Sequence, residues 1–112
     1  MLVIDDDMNI LLTRGDSAII DLTIYNSDGS VYTPSGDDHV IFSVKKICSS
    51  PYKMFQIDNG LSTTFHITGK MTEKLTFGEY QYDVCLVNNT DVKTVVADKI
   101  FTVGNEVHTT WD

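Results

Sequence analysis

The chain has 112 residues, of which 42% are hydrophobic, and it carries a formal net charge of −8. That length is ordinary for one folded domain with its own core, and the apolar fraction argues against intrinsic disorder. The excess of acidic residues argues against binding to nucleic acid or to an anionic membrane, because a phosphate backbone needs a basic face.

The charge is unevenly distributed along the chain. Residues 1–44 contain eight acidic residues and a single base, Arg14. A basic partner surface or a cation could bind such a half, but a solvated surface that keeps the protein soluble is the simpler interpretation. Asp5-Asp6-Asp7 and Asp37-Asp38 offer oxygen ligands, yet neither reproduces a complete calcium loop. We therefore expect no metal and no cofactor.

The first residues do not read as an export signal. Met1-Leu2-Val3-Ile4 is followed by three aspartates, with no basic stretch before an apolar run and no cleavage site. No segment approaches the roughly 20 apolar residues that span a bilayer. The chain is expected to be made in the cytoplasm, with Cys48 and Cys85 as free, buried thiols.

The first half predicts a series of short strands over 9–13, 18–24, 31–33 and 39–45. Arg14-Gly15-Asp16 separates the first two strands as a turn. Asn26-Ser27-Asp28-Gly29 predicts a hairpin turn, since Asp-Gly pairs reach the positive φ that such turns need. Apolar and polar residues alternate along these strands with period two. Ile19 and Tyr25 interrupt the polar face, so part of that face is expected to be covered.

The middle of the chain predicts a hairpin and a turn of helix. Residues 54–58 and 63–68 read as the two arms of the hairpin, joined by the favoured turn pair Asn59-Gly60. Thr72 is suited to cap one helical turn that runs through Leu75. Gly78 is expected to end that turn.

The last third predicts two longer strands. Tyr80, Tyr82, Val84 and Leu86 line one face of the first, and a turn follows over 88–91. The final strand runs over 92–103, and its apolar pattern shifts phase near Asp98, which predicts a bulge there.

About seven or eight strands without an amphipathic helix predict an all-β fold, an antiparallel β-sandwich. A tyrosine near the start of the sixth strand of immunoglobulin-like sandwiches bonds to the backbone upstream, and Leu75-x-x-Gly78-x-Tyr80-x-Tyr82 can supply it. The antibody cysteine spacing is missing, because Asp83 stands two residues before Cys85. We predict one immunoglobulin-like domain over 1–112, with a lead of 1–8 and a tail of 104–112.

The candidate site residues are Arg14, Asp16 and Trp111, each as a protein contact. Arg14-Gly15-Asp16 is the tripeptide that integrins bind, but a turn in which the arginine and the aspartate pair or cap explains it better. Trp111 stands in a polar tail, and aromatic anchors are enriched at interfaces; covering the open end of the sandwich is the equal alternative. An enzyme would need Cys85 or Cys48 beside a histidine, with no helix N-terminus to lower the thiol pKa.

Four segments in order carry a resemblance to a known family. They are Ile10-Leu11-Leu12-Thr13-Arg14-Gly15-Asp16-Ser17, Gly36-Asp37-Asp38-His39-Val40-Ile41-Phe42-Ser43-Val44-Lys45-Lys46, the corner Thr72-x-x-Leu75-x-x-Gly78-x-Tyr80-x-Tyr82-Asp83-Val84, and Phe101-Thr102-Val103 with Glu106-Val107. From about Ile10 to Val107 the chain resembles the N-terminal domain of upper baseplate proteins from siphophages of Gram-positive bacteria and related prophages.

The resemblance implies an immunoglobulin-like virion protein of the tail or baseplate, made in the bacterial cytoplasm. In that family this domain fixes the protein to the baseplate core, and a helical stalk and receptor-binding parts follow. No stalk follows here before Asp112, so we expect either a small stand-alone protein or a shortened one, docking to other tail or baseplate subunits. Assembly of the chain into a homo-oligomer is also compatible with this role. The alternative function is a cell-surface adhesion or carbohydrate-binding sandwich, and an enzyme is third.

Overall fold

A computed structural model describes residues 1–46 and 53–104, with the backbone alone at Lys53. It contains ten strands and one helical turn within these ranges. They are β1 (Leu2–Ile4), β2 (Ile10–Thr13), β3 (Ala18–Asp21), β4 (Ile24–Tyr25), β5 (Val31–Tyr32), β6 (His39–Lys45), β7 (Lys53–Asp58), β8 (Thr64–Ile67), α1 (Gly69–Thr72), β9 (Gly78–Val87) and β10 (Val92–Gly104). The prediction of an all-β protein is confirmed.

The strands form one large sheet and two small ones. The large sheet has the order β1-β2-β10-β9-β6-β7, and β3-β8 and β4-β5 are separate pairs. Every neighbouring pair is antiparallel except β2 with β10, which run parallel with Phe101 beside Ile10. The sheet is therefore mixed, not wholly antiparallel as expected. Alternation along a strand predicts its buried face, but it carries no information on the direction of a partner 91 residues away.

The predicted lead over 1–8 contains a strand. β1 pairs with β2 so that Leu2 lies opposite Leu12 and Ile4 opposite Ile10. The Asp5 carboxylate closes the connection, because its Oδ1 accepts the amides of Asp7 and Asn9, each at 2.9 Å. A three-residue apolar run followed by such an Asx turn is enough for a short edge strand.

The predicted hairpin between β7 and β8 is wrong. β7 pairs with β6, and β8 pairs with β3. Asn59 continues the β6 pairing by donating its amide to the Val40 carbonyl at 2.9 Å. Its side-chain nitrogen then donates to the carbonyls of Ser62 (3.0 Å) and Thr64 (2.5 Å), so the chain leaves the large sheet at this corner. Asn-Gly specified a turn correctly but not which strands it joins.

The predicted strand over 18–24 is divided between β3 and β4. The turn between β4 and β5 is confirmed, since the Asn26 and Gly29 amides close it through the Ser30 and Asn26 carbonyls. The expected cover over the polar face is not found within residues 1–46 and 53–104. Ile19 and Tyr25 are each 64% exposed.

The helical turn begins earlier than predicted. α1 covers Gly69–Thr72, with Thr68 in the N-cap position but without a side-chain cap bond. Thr72 ends the turn instead of capping its start. It is fully buried, and its Oγ1 accepts the backbone N–H of Gly15 at 3.0 Å. A tertiary bond to another turn therefore replaces the local cap.

The last two strands follow the prediction closely. Tyr80, Tyr82, Val84 and Leu86 are all buried on one face of β9. The Tyr80 hydroxyl donates to the Thr76 carbonyl at 2.9 Å, which is the upstream backbone bond expected at the corner. The phase change of β10 is a bulge, with register shifts between Thr94 and Lys99 and a positive φ of 56° at Asp98.

An aromatic cluster joins the sheets in one core. The Phe42 ring lies 5.1 Å from that of Tyr82 in the large sheet and 5.3 Å from that of Phe65 in β8. Phe101 and Phe55 also contact Phe42, at 6.4 and 6.3 Å between ring centroids. Because Phe65 belongs to the small β3-β8 sheet, this pair packs against the inner face of the large one.

Candidate protein-contact surfaces

The Arg14–Asp16 segment is a turn with a defined backbone reason. Gly15 has a φ of 85°, which favours glycine, and its N–H donates to Thr72 Oγ1. The Asp16 amide donates to the Thr13 carbonyl at 3.0 Å, and that of Arg14 to the Gly104 carbonyl at the same distance. The turn is thereby fixed to both α1 and the end of β10.

The side chains of this turn extend the surface to a neighbouring loop. Arg14 Nη1 donates to the Leu75 carbonyl at 3.4 Å, and its guanidinium lies 4.3 Å from the centroid of the Phe77 ring. Phe77 is 48% exposed. The Asp16 carboxylate accepts a hydrogen bond from the terminal ammonium group of Met1 and forms an ion pair with it. Arg14 and Asp16 are thus held in place by neighbouring groups. An arginine stacked on an exposed phenylalanine is a common composition at protein interfaces.

Trp111, the third predicted contact residue, lies outside the described residues. So do Cys48 and His108. Phe77 was not predicted as a contact residue. Only its position between the helical turn and Gly78 could have indicated a side chain displayed on a loop.

The acidic loop at Asp37 and Asp38 forms hydrogen bonds to neighbouring loops. Asp38 is only 5% exposed, and its carboxylate accepts the Tyr32 hydroxyl, the Ser35 amide and the Asn88 side-chain amide. The hydrogen bond from the Tyr32 hydroxyl is the main reason why the pKa of Asp38 is lowered, and the bonds from the Ser35 amide and the Asn88 side chain lower it further. Asp37 accepts the Asn89 amide at 2.9 Å. Residues 1–46 and 53–104 contain no group of three side chains suited to hold a metal ion.

The outer face of the large sheet carries a thiol and a histidine. Cys85 is half-buried, not buried as expected, and its Sγ lies 3.9 Å from both Asp83 Oδ1 and Thr94 Oγ1. His39 Nδ1 lies 3.0 Å from Asp58 Oδ1, and this partner lowers the pKa of Asp58. Cys85 and His39 are only diagonal neighbours in the sheet register, so the thiol contacts a carboxylate and a hydroxyl instead of an imidazole.

A groove opens between the β4-β5 hairpin and the turn that follows β9. Tyr25 and Tyr32 contribute rings to its wall, and Asn26, Asn88 and Lys93 contribute polar groups. The Tyr32 hydroxyl is engaged by Asp38, which fixes that ring. Aromatic rings beside amide side chains can bind a flat polar ligand through stacking and hydrogen bonds.

Large apolar side chains are exposed along the strands. Tyr25 lies directly opposite Val31 in the β4-β5 pair, and these side chains are 64% and 60% exposed. Ile19 on β3 is as exposed as Tyr25, and Val92 at the start of β10 is 71% exposed. The sequence signal for this surface was the pair of apolar residues on the polar face, Ile19 and Tyr25, which we interpreted as covered.

The comparisons with known proteins found no relative. No family model matches the chain, no curated protein matches it, and no solved structure matches it. Across residues 1–46 and 53–104, no helix has the length and apolar composition needed to cross a membrane.

Proposed function

We propose that the chain is a structural module of a phage or prophage tail or baseplate, which binds other virion subunits and catalyses no reaction. The sequence resemblance from Ile10 to Val107 supports the virion assignment. The observation that carries the binding role is the cross-strand pair Tyr25–Val31, because two neighbouring apolar side chains at 64% and 60% exposure favour burial against a partner.

We further propose that the fold is an immunoglobulin-like sandwich. The bond from the Tyr80 hydroxyl to the Thr76 carbonyl supports it, because this corner recurs at the start of the sixth strand in such domains. The packing of Phe65 in β8 against Phe42 in the large sheet also supports it, since a sandwich buries side chains between two sheets.

The virion role is tested on particles from a strain that encodes this chain. Antibodies against the purified protein, coupled to gold, are expected to label tails at the end distal to the capsid. A strain lacking the gene should produce fewer tailed particles, and the wild-type gene should restore them. Complementation with Tyr25→Ser and Val31→Ser together should restore fewer, whereas Thr90→Ala, an exposed substitution in another turn, should act as wild type. Unlabelled tails that assemble normally without the gene would refute the proposal.

A carbohydrate-binding module is the second candidate, and the groove with Tyr25, Tyr32 and Asn88 favours it. Aromatic faces stack on sugar rings, and amide groups bond their hydroxyls. An array of bacterial cell-wall and capsular glycans would test this candidate. Binding that Tyr25→Ala abolishes and Ile19→Ala leaves intact would support it; an array without signal would exclude the groove as a glycan site for the sugars displayed.

A further inference from the structure

An apolar crevice enters the core beside β3 and the Met8 loop, and it has no part in the surfaces above. Its floor is formed by buried rings and aliphatic side chains, among them Phe42, Phe65 and Val84. Its mouth is formed by Ile4 and Met8, which are 46% and 38% exposed, and by Asp21 and Leu22. A side chain that entered here would contact the inner faces of both sheets.

Two strands that flank the crevice have a free edge as far as residues 1–46 and 53–104 are concerned. Among these residues β3 pairs only with β8, and β2 covers β10 only from Phe101 onward. Val96, in the uncovered part of β10, lines the crevice together with Ile20 of β3. Free edges offer unpaired backbone groups to an extended peptide, so the fold provides both backbone partners and a side-chain pocket at this place.

The backbone is strained beside the crevice. Met8 and Asp98 are the two non-glycine residues with positive φ in the described part of the chain, at 68° and 56°. Met8 lines the mouth, and Asp98 lies in the β10 bulge that follows Val96. Such conformations are enriched at binding sites, where the surrounding structure holds them. Here the Tyr82 hydroxyl donates to the Met8 carbonyl and holds the loop.

The surroundings of the crevice are acidic. Asp21 is part of its mouth, and Asp5, Asp6 and Asp7 form the turn that leads to Met8. Asp98 lies two residues after Val96 in the bulge, and the positive charge of Lys99 acts on Asp5. A second copy of this chain, with its net charge of −8, would be repelled, whereas a basic segment would be attracted.

We propose that this crevice receives an aliphatic side chain from an extended, lysine- or arginine-rich segment of a partner protein. The inference deepens the assembly role proposed above and rests on it. The aliphatic side chain would fill the pocket between Phe65 and Val84, and the basic residues on either side of it would face the aspartates. The acidic first half of the sequence would then steer the encounter as well as keep the protein soluble.

The test uses the purified full chain and a displayed library of random dodecapeptides. We expect the selected peptides to share an aliphatic residue with two or more lysines or arginines nearby. Bound peptide should shift the amide resonances of Ile20, Leu22 and Val96. Raising the salt concentration from about 0.05 to 0.5 M should weaken binding, because screening shortens the range of the charges.

Charge-matched variants separate a local effect from a general one. Asp6→Lys with Asp7→Lys should weaken binding about tenfold, since two surface attractions become repulsions. Glu73→Lys with Asp91→Lys changes the net charge by the same amount at exposed sites elsewhere and should change binding less than about twofold. Circular dichroism checks that both pairs fold.

Several outcomes would overturn the proposal. They are a library without binders, binders without basic residues, resonance shifts on another face, or equal weakening by the two pairs of variants. A dimer that forms with rising concentration and is lost in Leu22→Lys would assign the crevice to a second copy instead. Peptide binding that meets every expectation while tails remain unlabelled would refute the virion role alone.

Discussion

Single polar groups hold the loops of this domain to its strands. The Tyr80 hydroxyl donates to the Thr76 carbonyl, the Thr72 hydroxyl accepts the Gly15 amide, and the Asp38 carboxylate accepts the Asn88 side-chain amide. Each residue is buried, so a lost partner leaves an unsatisfied polar group where water is excluded. Substitutions of one atom at these sites therefore report on the fold as a whole.

Tyr80→Phe removes the hydroxyl that donates to the Thr76 carbonyl. We expect the free energy of unfolding to fall by about 1 kcal/mol, the usual net value of one hydrogen bond. Urea denaturation measures it. Tyr25→Phe is the control, because its side chain is 64% exposed, and it should change stability by less than about 0.5 kcal/mol. An unchanged midpoint in Tyr80→Phe would show that the corner bond contributes nothing.

Asp38 predicts a loss of stability in acid. Its pKa lies below the usual 3.8 in the folded chain, so as the pH falls the unfolded chain takes up the proton first. The stabilisation is therefore complete above about pH 4 and is lost as the pH falls through the lowered pKa. Melting temperatures of wild type and Asp38→Asn, measured from pH 7 to 2, should converge in acid. The exposed control Asp91→Asn should parallel wild type throughout, and parallel curves for Asp38→Asn would contradict the assignment.

At the scale of elements, the sequence predicts what is local and misses what is long-range. The inward face of β9 could be read from Tyr80, Tyr82 and Val84, because period two is a property of the strand itself. The bulge near Asp98 was visible for the same reason. Asn59-Gly60 predicted a turn but the wrong partners, since a turn does not state which strand comes next to it.

The candidate surfaces likewise contain local features that the sequence predicts and long-range contacts that it does not. Gly15 predicted the turn that displays Arg14 and Asp16, because its backbone requirement is local. The contacts of Arg14 with Leu75 and Phe77 join residues about 60 positions apart and have no signal in spacing. The crevice between Phe65 and Val84 exists only once two sheets have packed.

Gly69 tests how closely α1 approaches the Arg14–Asp16 turn. A Cβ at Gly69 would lie 2.3 Å from the Gly15 carbonyl oxygen, which is backbone and cannot move aside alone. Gly69→Ala should therefore separate the turn from α1 and cost about 1 to 3 kcal/mol of unfolding free energy. Lys70→Ala, on the exposed side of the same helical turn, should change it by less than about 0.5 kcal/mol.

Calorimetric melting compares the Gly69 and Lys70 variants directly. Equal melting temperatures would mean that the turn and α1 can move apart without cost. Amide exchange at Gly15 gives a second measure, because its N–H is bonded to Thr72 and should exchange faster in Gly69→Ala.

At the scale of the molecule, one ring connects most of the core. Phe42 contacts Phe55, Phe65, Tyr82 and Phe101, which belong to β7, β8, β9 and β10. Phe42→Ala should cost about 3 to 5 kcal/mol, because it removes buried surface and leaves a cavity. Phe77→Ala deletes the same atoms from a side chain that is 48% exposed and should cost far less. A loss below about 1 kcal/mol in Phe42→Ala would refute a single shared core.

The parallel contact between β2 and β10 also sets the order in which the molecule can be completed. Ile10 and Leu12 are made 91 residues before their neighbours in the sheet, Phe101 and Val103. The Ile100 amide even bonds to the side chain of Asn9, 91 residues earlier. During synthesis the edge of β2 that pairs with β10 therefore stays unpaired until β10 has been made. Strand pairings between residues so far apart in the chain also form slowly. A nascent chain therefore exposes the open edge of β2 to aggregation until β10 has been translated, and a chaperone could bind it in that interval.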